Sequence, residues 1–273
     1  RKSKSLIQSE KKELDNFLND RICGESKIFK DLGFFDGGVT NVIENLNIDK
    51  TKNNLFLFSN IFWDIGISDC DSIYNSIIDW VLDSIRIASL NPSCHLYVKL
   101  HPGENFDTAK SIKGVREYIL EKYPILPKNI TIITPELKIN TYDLFPFINI
   151  AIVFNGTIGL EALFKNIPVI ITGEAPYGNL NLVNEPKNKS EYEQMLIGSK
   201  KLIIPKRKTI ELFAYFYFIK TCIPWDLTKS AYADNFNGFA FNSLKDILPG
   251  KNKHLDHLCN CIFKPEETII ESW

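Results

Sequence analysis

The chain has 273 residues, 44% of them hydrophobic and 24% charged, with a formal net charge of −1. That is the composition of a globular protein of one large or two small domains, and the near-neutral balance gives no basic field of the kind that draws nucleic acid. No apolar run approaches the ~20 residues that cross a bilayer, and the charged start has no apolar core of an export signal.

Taken in order, residues 1–20 read as a helix with Leu6, Leu14, Phe17 and Leu18 on one side. Residues 21–53 are irregular and glycine-bearing. Regular alternation then begins. Asn54 to Ser59 is a buried strand, and Ser72 to Leu90 is an amphipathic helix that Asp71 or Ser72 can cap. His95 to Leu100 is a second strand. Asn105 to Tyr123 reads as a helix weakened by Gly114, and Asn129 to Thr134 as a third strand. Thr141 to Phe147 is a helical turn stopped by Pro146. Ile148 to Phe154 is a fourth strand, apolar but for Asn149, as central parallel strands are. Thr157 to Lys165 is a helix, Pro168 to Thr172 a fifth strand, 188–199 a helix, and Lys201 to Ile204 a short strand. An aromatic helix over Thr209 to Thr221 and a last helix from about His254 follow. The alternation predicts an α/β fold: a Rossmann-like, doubly wound parallel sheet over 54–205. Residues 1–53 are an N-terminal remnant or linker, and 206–273 are helices packing back on the sheet domain.

Ligands of such sheets bind beyond the carboxyl ends of the strands, so the loops there carry the candidate residues. His101 follows the second strand, broken by Pro102 and Gly103. It can donate to a phosphate oxygen, with Lys99 adding positive charge; taken alone it is equally an ordinary loop residue. Asn155, Gly156 and Thr157 join the most buried strand to a helix, where helical N–H groups form an anion site and the Thr157 hydroxyl can cap or bind phosphate. Glu161, one turn on, can accept from a ribose or act as a helix-dipole partner. Asp64, beside Trp63 after the first strand, sits where a catalytic carboxylate would, or caps a turn. Glu174 and Tyr177, after the fifth strand, can wall the same cleft or, for Glu174, be solvated.

His254, His257, Cys259 and Cys261 are metal-capable types, but no second cluster completes a zinc set, and no metal is expected there. There is no Gly-x-Ser-x-Gly elbow and no Gly-x-Gly-x-x-Gly after the first strand, which disfavours a serine hydrolase and a standard dinucleotide fold. The six cysteines have no framework spacing and read as reduced thiols, so the expected location is the cytoplasm. The chain starts at Arg1 rather than Met, which reads as a piece of a longer protein.

Phe58 to Asp64, Asp79-Trp80, Val98 to Glu104, Asn140 to Leu144, Asn155 to Leu163, and Pro168-Val169-Ile170 through Tyr177, in that order, resemble the capsule polysaccharide biosynthesis family of bacterial glycosyltransferases, which includes the β-Kdo transferases. The resemblance covers roughly 54–200. It implies a GT-B architecture of two Rossmann-like domains, of which this chain holds the donor-binding C-terminal one with a partial or reduced N-terminal one. It implies transfer from a nucleotide sugar, with CMP-Kdo or a similar CMP-linked acid as donor, to a glycan or glycolipid acceptor of capsule or lipopolysaccharide assembly. No metal or other cofactor is implied, and peripheral contact with the inner membrane or a capsule assembly complex fits. His101 and Thr157 would hold the phosphate, Glu161 would contact ribose or base, and Asp64 would be the catalytic carboxylate. Gly156 stands where the family often has Ser, so backbone N–H groups must take over that contact. Two other readings stay open: a UDP-sugar-binding epimerase of similar fold, and a non-catalytic polysaccharide assembly subunit.

Overall fold

Five short runs of β-branched, leucine and aromatic residues form one parallel sheet: β1 Asn53–Phe58, β2 Cys94–Lys99, β3 Ile130–Ile133, β4 Ile150–Val153 and β5 Val169–Ile171. The computed structural model describes residues 5–22, 46–61, 72–105, 113–137, 139–223, 226–229 and 238–263. The strand order is β3-β2-β1-β4-β5, the Rossmann-like arrangement, with the chain reversing direction of travel between β1 and β4. Phe58 pairs with Lys99 on one side and with Val153 on the other, and Lys99 pairs with Ile133. That register brings Ser59, His101 and Asn155 to one edge.

Side chains alternate across the strands. Leu55, Leu57, Leu96, Val98, Ile150, Ile152 and Ile170 share a core with helices α2 (Ile77–Ser89), α3 (Val115–Lys122) and α5 (Lys189–Leu196). Trp80 is fully buried there, and its indole donates to the Tyr192 hydroxyl at 3.0 Å, which also bonds Ser84 Oγ at 2.7 Å. A buried indole with its N–H satisfied adds apolar area without an orphan donor. The opposite face carries Phe56 stacked on Tyr97, with ring centroids 4.5 Å apart. It also carries Lys99, which the alternation places on the same side as Tyr97.

Several predicted boundaries move for local reasons. α2 begins at Ile77, because Ser76 Oγ accepts from Asp79 N at 3.0 Å; Ser72 instead donates to the Thr172 carbonyl at 2.7 Å. Of the predicted helix over 105–123 the described residues hold α3, with Gly114 as its N-cap, after a 3-10 turn Pro102–Asn105; residues 106–112 lie outside the described residues. The predicted turn keeps its bounds, Thr141–Phe147, with Pro146 inside it. Strand 201–204 does not form. Asn184 substitutes for a strand partner there: its side-chain oxygen accepts from Ile203 N at 2.8 Å and its amide donates to Ile203 O at 3.2 Å.

The described chain divides into two compact units, Asp20–Ile210, which holds the sheet, and Arg1–Asn19 together with Glu211–Trp273. In the second unit the Tyr215 hydroxyl donates to Glu13 at 2.7 Å and Phe17 lies 5.1 Å from Phe218, centroid to centroid. The aromatic run predicted as one helix is α6 (Arg207–Tyr215) continuing into a π turn at Phe216–Lys220. The last helix, α7, is Lys253–Phe263. Among the described residues no helix is long and apolar enough to cross a membrane.

Candidate functional site: a charged edge at the strand ends

The carboxyl edge of the sheet is tied together by the residues that leave it. Ser59 N donates to Lys99 O at 3.0 Å, and Ser59 Oγ accepts from His101 N at 3.1 Å. Asn60 Nδ2 donates to Asn155 Oδ1 at 2.9 Å, bridging β1 and β4 at the reversal point. The His101, Asn155 and Gly156 loops are therefore cross-linked into one rim by Ser59 and Asn60. Both residues lie in the Phe58 to Asp64 stretch that carried the resemblance, but nothing in the sequence assigned either of them this cross-linking role.

Within the rim, Gly103 N donates to His101 Nδ1 at 3.0 Å. An accepting Nδ1 puts the proton of the neutral ring on Nε2. Glu104 N donates to His101 O at 3.1 Å and closes the turn. A Cβ on Gly103 would lie 2.6 Å from Ile61 Cδ1 and 2.9 Å from His101 Nδ1, so any side chain there must shift one of them.

Lys99 is 8% exposed. Burial alone pulls its ammonium down from the ordinary 10.5 to about 8, and among the described residues no carboxylate offsets that cost. Buried cations are normally paired. Glu104 is the second irregularity. Its Oε1 is buried without a partner, and its carboxyl is raised to about 7, first by burial and then by Glu117 and Glu136, although Val115 N donates to it. Because Gly114 has no side chain, Glu104 caps α3 from outside that helix. The third is Thr172, just past β5, 7% exposed with Oγ1 unpartnered.

Gly156 and Thr157 lead into α4, Ile158–Leu163. Thr157 is its N-cap but makes no side-chain capping bond, so its hydroxyl does not serve the helix as the sequence suggested. Six residues make a weak dipole, which shifts the weight of any anion contact to Lys99 and His101. Tyr177 is fully buried and its hydroxyl donates to Gly156 O at 2.5 Å. It reaches that oxygen across Gly159, where a Cβ would sit 2.5 Å from the hydroxyl. Tyr177 thus holds the Gly156 turn from beneath and presents no surface to a cleft.

Glu161 is also turned inward. Its side chain is 5% exposed, and Oε1 accepts from Arg21 Nη2 at 2.7 Å and Nε at 3.1 Å. The Tyr142 hydroxyl hydrogen-bonds both partners. Nothing in the sequence marks Arg21, 140 positions away. Glu174 is exposed. Asp64 and Trp63 lie outside the described residues. In the other unit His254 Nδ1 meets Asp226 Oδ2 at 2.8 Å and His257 Nε2 meets Cys261 Sγ at 3.4 Å. Among the described residues no group of three or more His, Cys, Asp or Glu is placed to hold a metal ion.

The fold is that of a Rossmann-like domain, with Lys99 and His101 at one strand edge. No family model matches the chain, and no curated protein does. Among solved structures it is similar to the Thermosulfurimonas dismutans KpsC β-Kdo 2,4 transferase, with 20% identity over 60% of this chain and 44% of that one (TM-score 0.39). It is also similar to the UDP-GlcNAc 2-epimerase from Neisseria meningitidis bound to UDP-GlcNAc, with 17% identity over 64% and 43% (TM-score 0.38). A third is the wall teichoic acid polymerase TagF, with 13% identity over 73% and 43% (TM-score 0.38). The chain spans about half the length, or less, of these structures.

Proposed function

We propose that the chain is the donor-binding part of a GT-B glycosyltransferase of capsule or lipopolysaccharide biosynthesis, using a CMP-activated sugar acid such as CMP-Kdo. The observation that carries this reading is Lys99, a buried ammonium for which the described residues offer no counter-ion, at the strand edge where α/β sheets bind ligands. A phosphate supplies the missing charge. Its oxygens accept from Lys99, from His101 Nε2–H and from the backbone N–H groups at Gly156 and Thr157, with Asn155 shaping the turn.

In the reaction the bond from anomeric carbon to phosphate oxygen breaks and the acceptor hydroxyl bonds that carbon. The charge growing on the leaving nucleotide phosphate is stabilised by Lys99 and His101. The hydroxyl proton passes to Asp64 acting as base, or Asp64 attacks first as nucleophile. Glu174, exposed past β5, contacts a sugar, and Tyr177 keeps the Gly156 turn in place. Protein cations neutralise the phosphate without a metal.

Calorimetric titration of CMP, CDP, UMP, UDP and GDP into wild type and His101→Ala tests this. Selective CMP binding that weakens 10–100-fold in the variant, the value of one charge-assisted hydrogen bond, is the expected result. UDP selectivity, with UDP-sugar turnover in the absence of acceptor, replaces it with an epimerase. No binding to any of the five overturns the donor-site reading and leaves an assembly subunit.

A further inference from the structure

α4 is short and has no side-chain cap at Thr157, yet it must hold the Gly156 turn still. Its one charged residue facing inward is Glu161, 5% exposed. A buried carboxylate needs a partner, and the partner comes from the far start of the chain. Arg21 directs both Nε and Nη2 onto Glu161 Oε1 at 3.1 and 2.7 Å. Tyr142 closes the set, bonding Arg21 and Glu161 alike. Arg21 is itself largely buried, with 22% of its side chain exposed. A fork of two donors on one oxygen, braced by a phenol, fixes direction as well as distance.

We infer that Arg21 is a positioning residue of the nucleotide site. Through Glu161 it orients α4 and so aims the Gly156 and Thr157 N–H groups. The inference rests on the donor-site reading for its ligand. Gly156 is thereby held twice, by Tyr177 on its carbonyl and by the Arg21–Tyr142–Glu161 set one helical turn on. The functional domain then starts near residue 20 and not at 54, in line with the sheet unit, which runs from Asp20 to Ile210.

The test compares wild type, Arg21→Ala, Arg21→Lys and the pair Arg21→Ala/Glu161→Gln. CMP and UDP affinity is measured by calorimetry, melting temperature separately, and hydrogen exchange at the Gly159 and Glu161 amides, which bond Gly156 O and Thr157 O, without any ligand. Arg21→Ala is expected to weaken the nucleotide that wild type selects about tenfold and to speed exchange at those two amides about tenfold, with β4 unchanged. Arg21→Lys should be intermediate, having lost the fork. In the double variant no charge is left unpaired, so melting recovers while affinity and exchange do not. Recovery of all three in the double variant means Arg21 only balances charge and overturns the inference, as do unchanged amides in Arg21→Ala. If wild type binds no nucleotide, the donor-site reading fails while the exchange result still decides the role of Arg21.

Discussion

The two ends of the same sheet solve the same problem differently. At the amino end, polar side chains close turns with neutral groups: Asn149 Oδ1 accepts from Asn54 N at 2.7 Å, His95 Nε2 meets Thr131 Oγ1 at 2.8 Å, and Asn129 Nδ2 reaches three carbonyls between 2.8 and 3.2 Å. Among the described residues, what that end leaves unsatisfied is neutral: Asn54 Oδ1 and the Tyr97 hydroxyl, which lies by Asp49. Among the described residues the carboxyl end leaves Glu104 Oε1 and the Thr172 hydroxyl without a partner, and it holds the buried Lys99, whose ammonium burial alone pulls down. A fold under selection for stability alone would pair or remove a buried charge. Buried groups with shifted titration at a strand edge are where a site is sought.

Lys99→Met should separate the two ends most sharply. It removes the cation and keeps the apolar stem, so nucleotide binding falls about 100-fold while the protein melts at a higher temperature. In wild type the folded pKa of about 8 lies below the ordinary 10.5. Between those values the unfolded chain holds a proton that the folded one has released, so stability rises with pH across 8 to 10.5, by an amount on the order of 3 kcal/mol. Affinity for nucleotide should fall over the same interval as the charge is lost. Lys99→Met should flatten both trends. A variant that melts lower and still binds would mean that Lys99 is a packed stem and nothing more.

Gly103→Ala comes next. Its Cβ cannot fit between Ile61 and His101 without shifting one of them, and about tenfold weaker binding with little change in fold stability is expected. At the amino end, Asn149→Ala should do the reverse. Asn54 N loses its acceptor, but Asn149 is exposed and water can replace it, so about 1 kcal/mol of stability is lost with affinity intact. Denaturant midpoints and calorimetry on the same samples decide both. Loss of nucleotide affinity in Asn149→Ala would erase the distinction between the ends.

The layout of the sheet was legible because each of its five strands is a compact apolar run between polar punctuation. The positions of His101 and Gly156 at strand ends followed from that. The roles of the side chains did not. Whether Glu161 and Tyr177 face a ligand or the interior depends on partners as remote as Arg21, and Tyr177 turns inward only because Gly159 leaves room for its hydroxyl. Within the helix read over 105–123, α3 starts at Val115, where Glu104, a residue just before the predicted span, supplies the cap. Local pattern cannot express a cap that comes from across a turn. The same blindness produced the strand at 201–204, where a side-chain amide stands in for a backbone neighbour.

Gly156→Ser offers the opposite kind of evidence, a gain. The Gly156 Cβ position is open, its nearest neighbour being Ile158 Cγ2 at 3.8 Å. A serine hydroxyl there adds one donor to a bound phosphate and should tighten nucleotide binding a few-fold, in keeping with roughly 1 kcal/mol for a net hydrogen bond. Unchanged affinity would place the phosphate away from this turn and leave the Lys99 and His101 side of the rim to hold it alone.

The smallest effect expected is at Glu104, and it probes whether strain at the carboxyl edge is electrostatic. With its carboxyl raised from 4.5 to about 7, the folded protein keeps a proton that the unfolded chain has lost between those values. Stability therefore falls as pH rises through that window and is lowest above 7. Glu104→Gln retains an acceptor for Val115 N and removes the charge that Glu117 and Glu136 oppose. Its melting temperature should match wild type near pH 4.5 and exceed it by a little near pH 8, the difference shrinking in high salt because the side chain is partly exposed. Parallel curves would mean that solvent already screens Glu104. The charge left on the edge would then be that of Lys99 alone, which is the charge a phosphate needs.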